Sequence, residues 1–87
     1  MSKVVIIKTL AGEELLATEN ETLSGVTYSK VRMFQYGDGN AGLIPWMLTS
    51  PDSEIKFAAN ALACQPVEAP LDIERSYMKA TSSILLG

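Results

Sequence analysis

Near Pro70 the sequence changes period. Up to Pro66, apolar residues come in short β-type runs broken by turn residues about every ten positions. After Pro70, Ile73, Tyr77, Ala80 and Ile84 recur on one helical stripe. With 87 residues there is room for one domain, residues 1–87. The expected layout is mostly β: five short strands over about residues 3–66, then one C-terminal α-helix over about 70–86. Short strands with frequent turns point to a small barrel. Hydrophobic residues make up 47% of the chain and charged residues 20%, which argues against disorder.

Val4 to Ile7 has the composition of a strand buried on both faces. Gly12 marks the turn into a second strand, so residues 3–19 read as a hairpin. Asn20 to Gly25 carries a turn. Residues 25–36 read as a third strand, bent near Ser29-Lys30. Val26, Tyr28 and Lys30 are expected on one face, and Val31, Met33 and Gln35 on the other. Pro51-Asp52 centres a later turn. Residues 55–64 read as two short strands around Ala58-Ala59-Asn60.

Gly37-Asp38-Gly39-Asn40-Ala41-Gly42 is a literal G-x-G-x-x-G. The dinucleotide fingerprint needs a helix opening on those glycines, so that its N-terminus can hold the pyrophosphate. Pro45 follows too closely for a continuing helix, and the chain has no room for repeated βαβ units. The glycines instead suit a reversal between antiparallel strands, with Pro45 marking an edge or a kink.

Other chemistry is sparse. There is no histidine, which removes the commonest general base and metal ligand, and no metal or cofactor is expected. The lone Cys64, in the run ALAC, is expected to be a small buried apolar residue. Ser76-x-x-Lys79 matches a penicillin-binding nucleophile motif but lacks its companion motifs. Asp52 and Glu54, in a turn, are expected to be solvated. An enzyme is therefore not expected. No run is long enough for a membrane span, and a cytoplasmic protein is the expectation. The net charge of −3 works against a phosphate-rich partner without excluding a local basic patch. Lys30, Arg32 and Lys56 with Tyr28 and Phe57 form the one cationic and aromatic combination, read either as a solvated surface or as a platform for single-stranded nucleic acid. Trp46 beside Pro45 and Met47 reads as core or as a subunit contact.

The runs KVVIIKTLAGEELLATE and IKFAANALACQPVE together resemble the Sm-like proteins. Gly12 and Leu15 fall where that family has a glycine and a following apolar position, and residues 55–64 resemble its second motif. The pattern is most similar to small Sm-like proteins of tailed phages of marine cyanobacteria. Those share a GEE after the first strand, a PWM-type element, an EI opening the late strand and a helix containing Tyr. The resemblance implies a strongly bent five-stranded SH3-like antiparallel barrel that closes into a homo-oligomeric ring of about five to seven copies. The fourth strand of one copy, Leu43 to Thr49, would pair with the fifth of the next, Ala61 to Gln65. Leu43, Ile44, Trp46, Met47, Leu62 and Cys64 would then lie at the subunit interface.

It also implies single-stranded RNA as a partner. By position Tyr28 would stack on a base, Lys30 and Lys56 would contact phosphate, and Asn60 would bond a base edge. The chain departs from the family in three places, the first being that the helix the family places before its first strand is expected here on the C-terminal side. The base-reading Asp-x-x-Met-Asn has no counterpart in TENETLSGVTY, and the Arg-Gly or Lys-His of the second motif is replaced by FAAN. A phage structural or adaptor ring without RNA binding is the rival expectation.

Overall fold

The computed structural model describes residues 2–37, 40–58 and 60–81. Five antiparallel strands form one sheet: β1 (Ser2–Lys8), β2 (Glu14–Thr22), β3 (Gly25–Gly37), β4 (Asn40–Pro45) and β5 (Val67–Glu68). Helix α1 (Leu71–Thr81) follows. The sheet order is β4-β3-β2-β1-β5.

The first hairpin turns where Gly12 supplies a φ of +97°. Thr9 holds this turn together. Its N–H donates to the Glu13 carbonyl at 2.9 Å, its carbonyl accepts from Gly12 N–H at 3.0 Å, and its hydroxyl accepts from Glu13 N–H at 3.1 Å. β1 and β2 then pair in regular register, with Val5 opposite Ala17 and Ile7 opposite Leu15. Strand alternation sends Val5, Ile7, Leu15 and Ala17 to the inner face and Val4 and Leu16 to the outer one. β1 is thus buried from both sides, as its unbroken apolar run predicts.

β3 is bent by a bulge. Leu16 faces Arg32 and Thr18 faces Ser29, so Lys30 and Val31 together oppose Ala17. Lys30 takes up the irregularity with a φ of +52°. The extra residue corrects the face assignment made from strict alternation. Tyr28 and Val31, three positions apart, pack in the same inner cluster with Met33. The bend expected near Ser29-Lys30 is present, and it reverses the phase of everything beyond it.

Gly37 pairs with Asn40, which gives the antiparallel reversal expected of the glycine run. Asp38 and Gly39 lie outside the described residues. β4 ends at Pro45, earlier than the expected strand over residues 43–49. Trp46 N–H turns back to the Val31 carbonyl at 3.0 Å, and a turn follows with Ser50 N–H on the Met47 carbonyl at 3.3 Å.

The chain from Ile55 to Ala69 closes the sheet into a barrel-like form. Ile55 exchanges two backbone bonds with Tyr28, at 2.8 and 2.7 Å, beside the N-terminal half of β3. Further on, Leu10 N–H, just past β1, donates to the Ala61 carbonyl at 2.8 Å, and along β1 Ala63 N–H donates to the Lys8 carbonyl at 2.8 Å and Ala69 N–H to the Val4 carbonyl at 3.0 Å. The two late strands expected over residues 55–64 are isolated bridges at Ile55 and Leu62, and the short β5 comes after Pro66. Ala61 N–H closes a turn on the Ala58 carbonyl at 3.0 Å; Ala59 lies outside the described residues. Cys64 is exposed, not buried, because its segment skirts the sheet margin where Ala63 and Gln65 are also exposed.

α1 lies over the outer face. Asp72 and Glu74 sit in its first turn and Lys79 in its last, which complements the helix dipole. Tyr77 is fully buried against Val4 and Leu16, with Ile73 half-buried beside it. Ala80, expected on the buried stripe, is exposed. Ile84 and the expected extension of the helix to 86 lie outside the described residues. Among the described residues no helix is long and apolar enough to cross a membrane.

Candidate functional site

An open recess of about 450 Å³ lies between Tyr28 on β3 and the segment Leu62 to Pro66 along β1, lined by Tyr28, Leu62, Cys64, Gln65 and Pro66. Its volume falls within the range of small-ligand sites. It exists because the closing segment leaves β3 after Ile55 and reaches β1 only near Ala61.

The Tyr28 wall is rigid. The ring is 8% exposed and meets Phe57 edge-on, with centroids 5.4 Å apart at 64°. Phe57 in turn packs on Trp46 at 5.5 Å. Each polar tip of this row is held by a carboxylate. Tyr28 Oη donates to Glu19 Oε1 at 3.1 Å, and Trp46 Nε1 donates to Glu13 Oε2 at 3.3 Å. Glu19 also pairs with Lys3 at 3.6 Å. Burial pushes the Tyr28 phenol up to about 12, with the Glu19 hydrogen bond and charge adding to the effect. Stacking on a base needs an open ring face, and Tyr28 is buried in the inner core cluster while also lining the recess.

Lys56 is exposed at the β2–β3 hairpin, with Nζ donating to the Ser24 carbonyl at 3.1 Å. Asn60 is exposed on the closing segment, and Lys30 is half-buried at the bulge. None of the three lines the recess. Arg32 is not a solvated surface cation. It is 9% exposed, donating from Nη1 to the Pro51 carbonyl at 2.8 Å and from Nη2 to Asp52 Oδ1 at 2.8 Å. Asp52 is accordingly paired rather than merely solvated, and Glu54 accepts from the Thr27 hydroxyl at 2.6 Å.

The expected interface residues divide. Leu43, Ile44, Trp46 and Leu62 are half-buried within this chain; Leu43 packs on the outer cluster, and Trp46 and Leu62 on the inner one. Met47 and Cys64 are exposed. The recess joins Leu62 and Cys64 to Tyr28. It offers an aromatic edge, an amide, a thiol and apolar walls. That set can hold a flat or weakly polar group. It does not by itself join a nucleophile to a base. Among the described residues no three His, Cys, Asp or Glu are grouped to hold a metal ion.

Sequence reasoning missed two structural residues. Arg32 anchors a turn some twenty positions away, a partnership no local pattern reveals. Thr18 meets Tyr77 across the outer face, at 2.9 Å between the two hydroxyl oxygens. No model of a known protein family matches the chain, and no curated protein matches it in sequence.

Proposed function

We propose that this chain is a ring-forming Sm-like β-barrel that acts by assembly and binding, not by catalysis. The observation that carries the reading is the sheet order β4-β3-β2-β1-β5. It leaves β4 at one margin of a strongly bent sheet and the 62–68 segment at the other. Two such margins on one chain are what head-to-tail pairing between copies requires, and ring closure removes edges that otherwise invite uncontrolled association. The exposed Met47 and Leu48 beyond β4, and Leu62 and Cys64 beside β5, would lie at that junction.

Single-stranded RNA is the partner the resemblance implies, with Tyr28, Lys30, Lys56 and Asn60 as the expected contacts. A second reading, a phage structural or adaptor ring without RNA binding, is favoured by the burial of Tyr28, the engagement of Arg32 and the net charge of −3.

Native mass of the protein as purified, before nuclease treatment, tests both. A closed multimer of about five to seven copies is expected. Nuclease-sensitive extra mass would support RNA as the partner, and the same ring without it would support the adaptor reading. A monomer at all concentrations would overturn the ring.

A further inference from the structure

We propose that α1 is a latch on the bend of β3: docking of the helix through Tyr77 holds the bulge at Lys30, and lifting the helix releases it.

The contact is concentrated in one side chain. Tyr77 is the one fully buried residue described in α1, and Ile73 is half-buried beside it. The Tyr77 hydroxyl reaches both strands that flank the bulge. It donates to the Lys30 carbonyl at 2.9 Å, with the Ser29 carbonyl at 3.4 Å, and it lies 2.9 Å from Thr18 Oγ1 on β2. A donation from Thr18 to the phenol leaves the phenol proton for Lys30. The bulge needs this help. Where Lys30 and Val31 share one opposing residue, the regular ladder between β2 and β3 is interrupted. A non-glycine residue at a φ of +52° persists where its surroundings over-determine it. The phenol is that over-determination.

The latch is also separable. An isolated helix of 11 residues is marginal in water, so α1 depends on its docking against the sheet, in which Tyr77 is the fully buried side chain. The bend acts on what lies beyond it. Arg32 stands two residues past Lys30 and carries the turn through Pro51 and Asp52, and the second half of β3 carries β4. A partner that drew α1 away would loosen that turn and the β4 margin together. This last consequence bears on the proposed ring, but the latch itself does not depend on it.

Backbone hydrogen exchange on the full chain tests the coupling. Tyr77→Phe removes the hydroxyl and keeps the ring. Exchange is expected to quicken about tenfold, the worth of one buried hydrogen bond, both in α1 and in residues 29–32, with β1 and Leu15–Leu16 unchanged. Ile73→Ala weakens docking from the apolar side and keeps the phenol, and the same two segments should respond together. Faster exchange in α1 with residues 29–32 at the wild-type rate, in either variant, would overturn the latch. So would an equal acceleration across the whole sheet. Neither outcome depends on whether the chain is a monomer or a ring, so failure of the latch is distinct from failure of the ring.

Discussion

Substitutions at Lys30 isolate the backbone energetics of the bulge. Its φ of +52° is left-handed. That conformation costs an L-residue about 1–2 kcal/mol, because Cβ crowds the following carbonyl. Glycine escapes the crowding, but it gives the unfolded chain more freedom, which returns about 0.4–1 kcal/mol. Lys30→Gly and Lys30→Ala both lack the ammonium, so comparing them leaves only the two backbone effects. Lys30→Gly is expected to be the more stable by about 0.5–1 kcal/mol. That corresponds to roughly 2–8 °C in Tm for a domain of this size. Urea unfolding at matched m-values measures the difference. Lys30→Val should be the least stable of the three, because a β-branched side chain tolerates positive φ worst. A lower urea midpoint for Lys30→Gly than for Lys30→Ala would refute the reasoning, and with it the bulge that puts Tyr28 and Val31 on one face. The same pair bears on RNA: if Lys30 contacts phosphate, both variants should weaken oligonucleotide binding equally.

Arg32→Met removes the bonds to Pro51 and Asp52 while keeping much of the buried stem. Since the Asp52 side chain is 61% exposed and is solvated once released, the expected loss is only about 2 kcal/mol in urea unfolding, accompanied by faster proteolysis within residues 47–54. An unchanged midpoint would show that the guanidinium is not anchored as described. At high pH, the Tyr28 phenol is raised to about 12 and the Tyr77 phenol is also raised, both chiefly by burial. The folded state favours the neutral phenols, so their contribution to stability is complete below about pH 10 and is lost as pH rises from there through the raised values. Tyrosinate absorbance from Tyr28 and Tyr77 should accordingly lag behind that of free tyrosine until the protein unfolds, and titration of these two phenols near pH 10 in the folded protein would contradict their burial.

Much of the fold was legible because local chemistry carried it. The β-branched Val4–Ile7 run, Gly12, the Gly37–Gly42 reversal, Pro45 and the helical stripe through Ile73 and Tyr77 each announce an element or its end. The late region was less legible. Ile55 and Leu62 join the sheet by single bridges whose partners, Tyr28 and Thr9, lie far back in the chain, and Cys64 reads as buried in an apolar run that in fact skirts the margin. The candidate site suffered most. Tyr28, Lys30, Arg32 and Lys56 look alike as an aromatic and cationic set on and near one strand, yet they end in the core, at the bulge, under a turn and at a hairpin.

The sequence by itself determined the antiparallel hairpins and the helix that follows them, because turn residues and hydrophobic period act over a few positions. Only the tertiary structure decided which way β3 faces, what Arg32 holds and where the recess opens. A one-residue bulge inverts every side chain beyond it, and the Lys30 carbonyl at that bulge finds its partner in the Tyr77 hydroxyl, some forty-seven positions away in the chain.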